Sequence, residues 1–156
     1  MAQEKLTKNL YQPESAEEIK RRILSLRSDS ARQWGKMNVA QAVAHCAAGM
    51  ENAVGMTNPP RVFVGRILGP IVKPMALQEN RPLQRNSPTA KSLVITDERD
   101  LAAEQKRLCG LIDRFASAGP GGCTPHPHAF FGRMTPAEWA VLCYKHLDHH
   151  LRQFGA

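Results

Sequence analysis

The sequence predicts an all-α fold, a four-helix bundle with one long crossover. Three observations predict it. Four stretches carry apolar residues at helical spacing and end in capping or breaking residues. No run of alternating strand pattern and no internal repeat occurs anywhere in the 156 residues. A long Pro- and Gly-rich connection separates the second stretch from the third, and a bundle accommodates one such crossover. The length suits one domain spanning 1–156, with 1–13 as a flexible N-terminal arm.

The first helix is expected from Ser15, where Ser15 and Glu18 read as a capping box. Ile19, Ile23, Leu24 and Leu26 then lie near one face, and the helix should end between Arg27 and Ser30. The second begins at Asn38, a good N-cap. Val39, Val43, Cys46, Ala47 and Met50 form its apolar stripe, and many of its residues are small enough to let a neighbouring helix approach closely. His45 stands within this apolar run, and Gly49 is its single breaker.

The crossover from Gly55 to Pro88 holds six prolines, and "RVFVGRIL" within it suits a short helix. It carries Arg61, Arg66, Lys73, Arg81 and Arg85 against the single acid Glu79, so it reads as a rim that attracts an anionic ligand or as a solvated connection. The third long helix is capped by Thr96 or Asp97, buries Leu101, Leu108, Leu111, Ile112 and Phe115, and stops at Gly119-Pro120. The last has Thr135 at the N-cap, Pro136 at N1 and Glu138 at N3, and runs to Gly155.

Composition narrows the function. No apolar run is long enough to span a bilayer, and the N-terminus lacks a signal-peptide pattern, so a soluble, cytoplasmic protein without a membrane role is expected. The net charge of +7 is spread along the chain and aromatic residues are few, which disfavours nucleic-acid binding. Cys46, Cys109, Cys123 and Cys143 form no C-x-x-C pair; Cys46 and Cys143 fit helix interiors as small apolar groups.

The chemistry lies in the histidines. His146 and His150 are four residues apart on the last helix, so they stack on one face with Cβ atoms about 6 Å apart. The row Trp139, Cys143, His146, His150 has the spacing of a core-facing stripe. Two imidazoles beside Trp and Leu need partners, and a metal ion satisfies one nitrogen of each. His45 supplies a third ligand from another apolar helix. Three protein ligands leave a position open for water or substrate, the layout of a catalytic site. Imidazole is a borderline ligand that suits Zn, Ni, Fe or Cu, and of these Zn or Ni is expected here.

His149 is rotated about 100° from that pair and reads as an outer partner or surface residue. Gln153 stands three residues past His150, placed to orient a ligand or substrate. Arg152 and His128 are further substrate-side candidates. His126 and His128 sit in the polar turn "TPHPH", and Asp148 reads as a solvated carboxylate or a support for a histidine tautomer.

"VAQAVAHCAAGMENAVG", "HAFFGRMTPAEW" and above all "KHLDHHLRQFG" resemble the DinB/YfiT-like metalloenzymes, and within them a branch of unknown function (DUF1569-like). The likeness runs from about Ser15 to the end. Its most specific part is H-x-x-H-H followed by Gln, matched by His146, His149, His150 and Gln153. The resemblance implies a four-helix bundle, a mononuclear site at His45, His146 and His150, and frequent homodimers. It also implies thiol-dependent S-transferases and isomerases that use a low-molecular-weight thiol, activated as thiolate by the metal. This chain departs from the pattern at Leu151 and Arg152, in "HHLRQ", and at Ala129, where a proline usually follows the histidine. Both departures lie where substrate or thiol selectivity would be set. The expected function is thus a metal-dependent transferase or hydrolase acting on a small, anionic substrate; the alternative is a non-catalytic metal-binding or dimerisation module.

Overall fold

A computed structural model describes residues 7–87 and 89–156. Among them lie the α-helices α1 Pro13–Ser25, α2 Val39–Ala53, α3 Phe63–Ala76, α4 Leu101–Ala118 and α5 Pro136–Gln153. Short 3-10 turns occupy Lys91–Leu93 and Pro120–Gly122. The described residues contain no strand, only an isolated bridge between His128 and Gly132. The fold is therefore all-α. None of the helices is long and apolar enough to cross a membrane.

α1 packs against α4 and α5, and α2 packs against the same two helices, so these four helices close around one core. Ile19 and Ile23 of α1, Val43 and Met50 of α2, Leu108 and Ile112 of α4, and Leu147 of α5 are all at most 3% exposed. Ion pairs tie the elements at their edges. Glu104 of α4 accepts from Arg99 and Arg107, and Arg107 reaches Glu51 of α2. Arg22 of α1 meets Asp148 of α5 at 2.9 Å and the Ala156 carbonyl at 3.0 Å.

Several element ends differ from the expected ones. α1 starts at Pro13 rather than after Ser15, because proline's preset φ and missing N–H suit the first helical position. Ser15 is a buried helical residue whose hydroxyl donates to Gln12 Oε1, so no Ser15–Glu18 box forms. Leu24, expected near the buried face, is 63% exposed, one step round from Ile23. α4 is capped by Asp100, whose carboxylate accepts from the Ala103 N–H at 2.7 Å; Thr96 and Asp97 lie before it. α2 and α5 begin as expected, each with a reciprocal capping box, Asn38 with Gln41 and Thr135 with Glu138. Residues 1–6 lie outside the described residues, but Leu10 is fully buried and its N–H donates to the Ala140 carbonyl, while Tyr11 stacks on Phe115.

The largest departure is α3. The short helix expected from "RVFVGRIL" extends to Ala76 and contains Pro70 and Pro74. Its buried residues are Gly65 and Gly69, where a Cβ would fall on the Phe130 carbonyl oxygen. The backbone of α3 thus sits directly on the Phe130–Phe131 segment, and the large residues turn the other way. Phe63, Val64, Ile67, Leu68 and Ile71 are all exposed. Beyond α3, the crossover returns to the bundle through Lys145, whose ammonium donates to the carbonyls of Ala76 and Gln78.

Candidate metal centre

The local sequence of α2 and α5 places three imidazoles at one point. His45 projects from α2 among alanines and is 4% exposed. His146 and His150 lie one turn apart on α5 and are half-buried. One ring nitrogen of each lies within 4.8 Å of the other two. The ring centroids are 4.7–4.8 Å apart, and each pair meets edge to face. Gly49, one turn beyond His45, makes room: a Cβ there would already touch the His146 ring at 3.4 Å.

The other ring nitrogens are tied to the protein, which decides where the lone pairs point. His45 Nδ1 lies 2.8 Å from the Leu93 carbonyl, an acceptor, so Nδ1 carries the proton and Nε2 is bare. His150 Nδ1 lies 2.7 Å from Gln153 Oε1. Gln153 Nε2 donates to the Trp34 carbonyl at 2.8 Å, which orients the amide so that Oε1 must face His150. His150 therefore also holds its proton on Nδ1. The bare Nε2 of His45 lies 2.9 Å from His146 Nε2. Such a pair has to share a proton or a cation, because facing buried lone pairs are unfavourable.

The environment keeps these rings neutral. Burial pushes the proton affinity of His45 down, partly offset by the Leu93 carbonyl. His146 falls well below the usual histidine range, through burial and then the neighbouring His150 and His45. His150 is lowered to about 3, again by burial first and His45 second. Neutral imidazoles are the protonation state that metal binding needs, and His45 and His150 each turn a bare Nε2 into the group. Donor type, these two tautomers and the convergence of the rings fit a divalent ion, and this group of His45, His146 and His150 could hold one.

The remaining sequence candidates separate. Gln153 braces His150, as described. His149 packs its ring on Trp34, with centroids 5.3 Å apart, and on His150 at 5.0 Å. Burial and then Arg85 lower its proton affinity. His128 lies between Phe131 and Trp139, and its Nδ1 accepts from the N–H groups of Phe130 and Phe131 at 3.1 Å each. Its proton is therefore on Nε2. Burial, then Arg61, lowers its pKa to about 4. His126 is exposed, and only its backbone N–H is engaged, on Thr124 Oγ1. Arg152 turns outward, exposed and paired with Asp148 at 3.0 Å. Asp148 bridges Arg22 and Arg152 and supports no histidine. The four cysteines are free, and burial pushes the thiols of Cys46 and Cys143 up, away from reactivity.

Leu93, Trp34 and Gly49 belong to the centre without having been singled out for it. Leu93 and Trp34 act through backbone carbonyls, which any residue possesses, so side-chain type carried no signal. Gly49 did carry one: a glycine one turn from a histidine inside an alanine-rich helix marks a close approach.

A family model described as "Protein of unknown function (DUF1569)" matches residues 6–156. No curated protein matches the chain. No solved structure matches it either.

Proposed function

Because the chain belongs to the DUF1569 family, a family of unknown function, its activity has to be inferred from its own residues, and we propose that it is a metal-dependent enzyme. His45, His146 and His150 hold a divalent ion, Zn or Ni, and leave a position open for a small molecule. The single observation carrying this reading is the convergence of three neutral imidazoles, two of which have their second nitrogen tied off by Leu93 and Gln153. When bound, such an ion supplies Lewis acidity that lowers the pKa of a water or thiol to near neutrality.

The chain's own residues do the rest. Gln153 and the Leu93 carbonyl orient two ligand rings and fix their tautomers. His128 presents an Nε2–H donor, since its Nδ1 is filled by two backbone N–H groups. The basic crossover favours an anionic partner. The similarity to DinB/YfiT-like proteins adds the finer reading: transfer of a low-molecular-weight thiol rather than hydrolysis, in a homodimer. The exposed stripe of α3 is the apolar surface available for pairing.

Elemental analysis of protein purified without chelators tests this directly. We expect about one Zn or Ni per chain and a far lower content in His146→Ala, because removing one of three ligands leaves an incomplete set. A wild-type protein that neither contains nor takes up a divalent ion would end this reading. Metal that raises the melting temperature strongly but supports no turnover with thiol acceptors would favour the structural module instead.

A further inference from the structure

Arg85 is an exposed crossover residue whose guanidinium carbon lies 4.1 Å from the centre of the Trp34 ring. Trp34 in turn packs on His149, and His149 packs edge-on against His150. A line of stacked groups therefore runs from a surface cation to a proposed metal ligand. The line is held at both ends. Trp34 is anchored by its carbonyl, which accepts from Gln153, and the adjacent Gln33 N–H donates to the Gln153 carbonyl at 2.7 Å. Gly35, at φ +82°, brings this loop against Gln153, where a side chain at position 35 would collide with the amide. At the other end Asn86 takes φ +56° in the turn that follows Arg85, and its Oδ1 also approaches Gly35.

Among the described residues no carboxylate lies within ion-pairing distance of Arg85, and none of its N–H groups makes a hydrogen bond, whereas Arg22, Arg99 and Arg107 are each paired. Stacking on Trp34 uses the face of the guanidinium and leaves its edge of N–H donors free. That edge matches a carboxylate, which it can hold with two parallel hydrogen bonds. Asp148, next to His149 in sequence, is already occupied by Arg22 and Arg152.

We propose that Arg85, braced on Trp34, is the anion-binding arm of the His45/His146/His150 centre, so that the ligand occupying the open position carries a carboxylate which this guanidinium holds. This rests on the metal reading above and assigns the substrate class of that site. Arg85 acts here as a specificity residue, separate from the groups that hold the ion.

The test uses the full chain loaded with Co(II), whose visible absorption gains a sulfur-to-metal band when a thiol binds as thiolate and releases its proton to the buffer. Two probes of similar size are titrated, 3-mercaptopropionate and its neutral counterpart 3-mercaptopropan-1-ol. We expect 3-mercaptopropionate to saturate the band at about tenfold lower concentration, as a charge-assisted, two-point contact implies. In Arg85→Gln that preference should vanish, with Co(II) uptake and the affinity for 3-mercaptopropan-1-ol unchanged; Arg85→Lys should keep part of it. Equal affinities in the wild type, or a preference that survives Arg85→Gln, would overturn the proposal and leave the metal reading standing. Failure of Co(II) to bind at all would overturn both.

Discussion

Gln153 shows how one side chain can set the chemistry of another. Its amide nitrogen is committed to the Trp34 carbonyl, so its oxygen can only accept, and His150 must present a bare Nε2. Gln153→Ala removes that constraint and leaves His150 free to turn. Outer partners of this kind are worth roughly 10–100-fold in metal affinity, and we expect a loss in that range in a competition titration, with His45→Ala losing more. A second prediction concerns protons. The folded-state affinities of His45, His146, His150 and His128 all lie below the unfolded value near 6.5. As pH falls below that value, the unfolded chain takes up protons that the folded chain does not, so stability declines with acidification. The decline should begin near pH 6.5 and continue through about 4, where His128 titrates, towards about 3 for His150. Metal-free protein followed by urea denaturation at stepped pH should show this slope, and His128→Gln should flatten part of it. A stability that is level between pH 6.5 and 4 would count against the buried, neutral histidines described here. The candidate ligands themselves were legible from spacing, because four residues on a helix define a face. Their partners were not. Leu93 and Trp34 act through the backbone across 48 and 119 residues of sequence, distances that no local pattern spans.

The elements differ in how openly the sequence announces them. α5 is bounded by Thr135, Pro136 and Glu138 and closed by Gly155 at φ +74°, all visible as residue types. α3 is not announced in that way, because Pro70 and Pro74 read as breakers. Its period is still helical, but the usual inference that the large apolar face is the buried one is inverted, since Gly65 and Gly69 carry the contact. This inversion gives a sharp expectation. Gly69→Ala places a methyl group on the rigid Phe130 carbonyl, and forced insertion into a packed contact costs typically about 1–3 kcal/mol. Gly110, with nothing near a Cβ, offers the control: Gly110→Ala should stabilise by up to about 1 kcal/mol through helix propensity. Thermal unfolding of the two variants should move in opposite directions.

At the scale of the whole molecule, four helices enclose the core while α3 stands outside their mutual contacts with five large apolar residues in water. Contiguous exposed apolar surface of this kind marks association sites on soluble proteins. Ile67→Glu should therefore leave the melting temperature of the isolated chain nearly unchanged, because Ile67 makes no core contact worth keeping. It should also abolish any concentration-dependent doubling of mass measured by light scattering. A wild-type protein that stays single at high concentration would remove α3 from consideration as a pairing surface. The all-α architecture was readable from periodicity, but the path of the crossover was not, since its anchoring depends on Lys145 and on main-chain carbonyls. That path matters for one more reason. Leu93, whose carbonyl steers His45, and Arg85, which stacks on Trp34, belong to the same stretch of chain, so this strap meets the surroundings of the centre at two places. Deuterium uptake across residues 78–94 should thus slow when the centre fills, and a protease that nicks the strap should release the ion while the helices beneath stay folded.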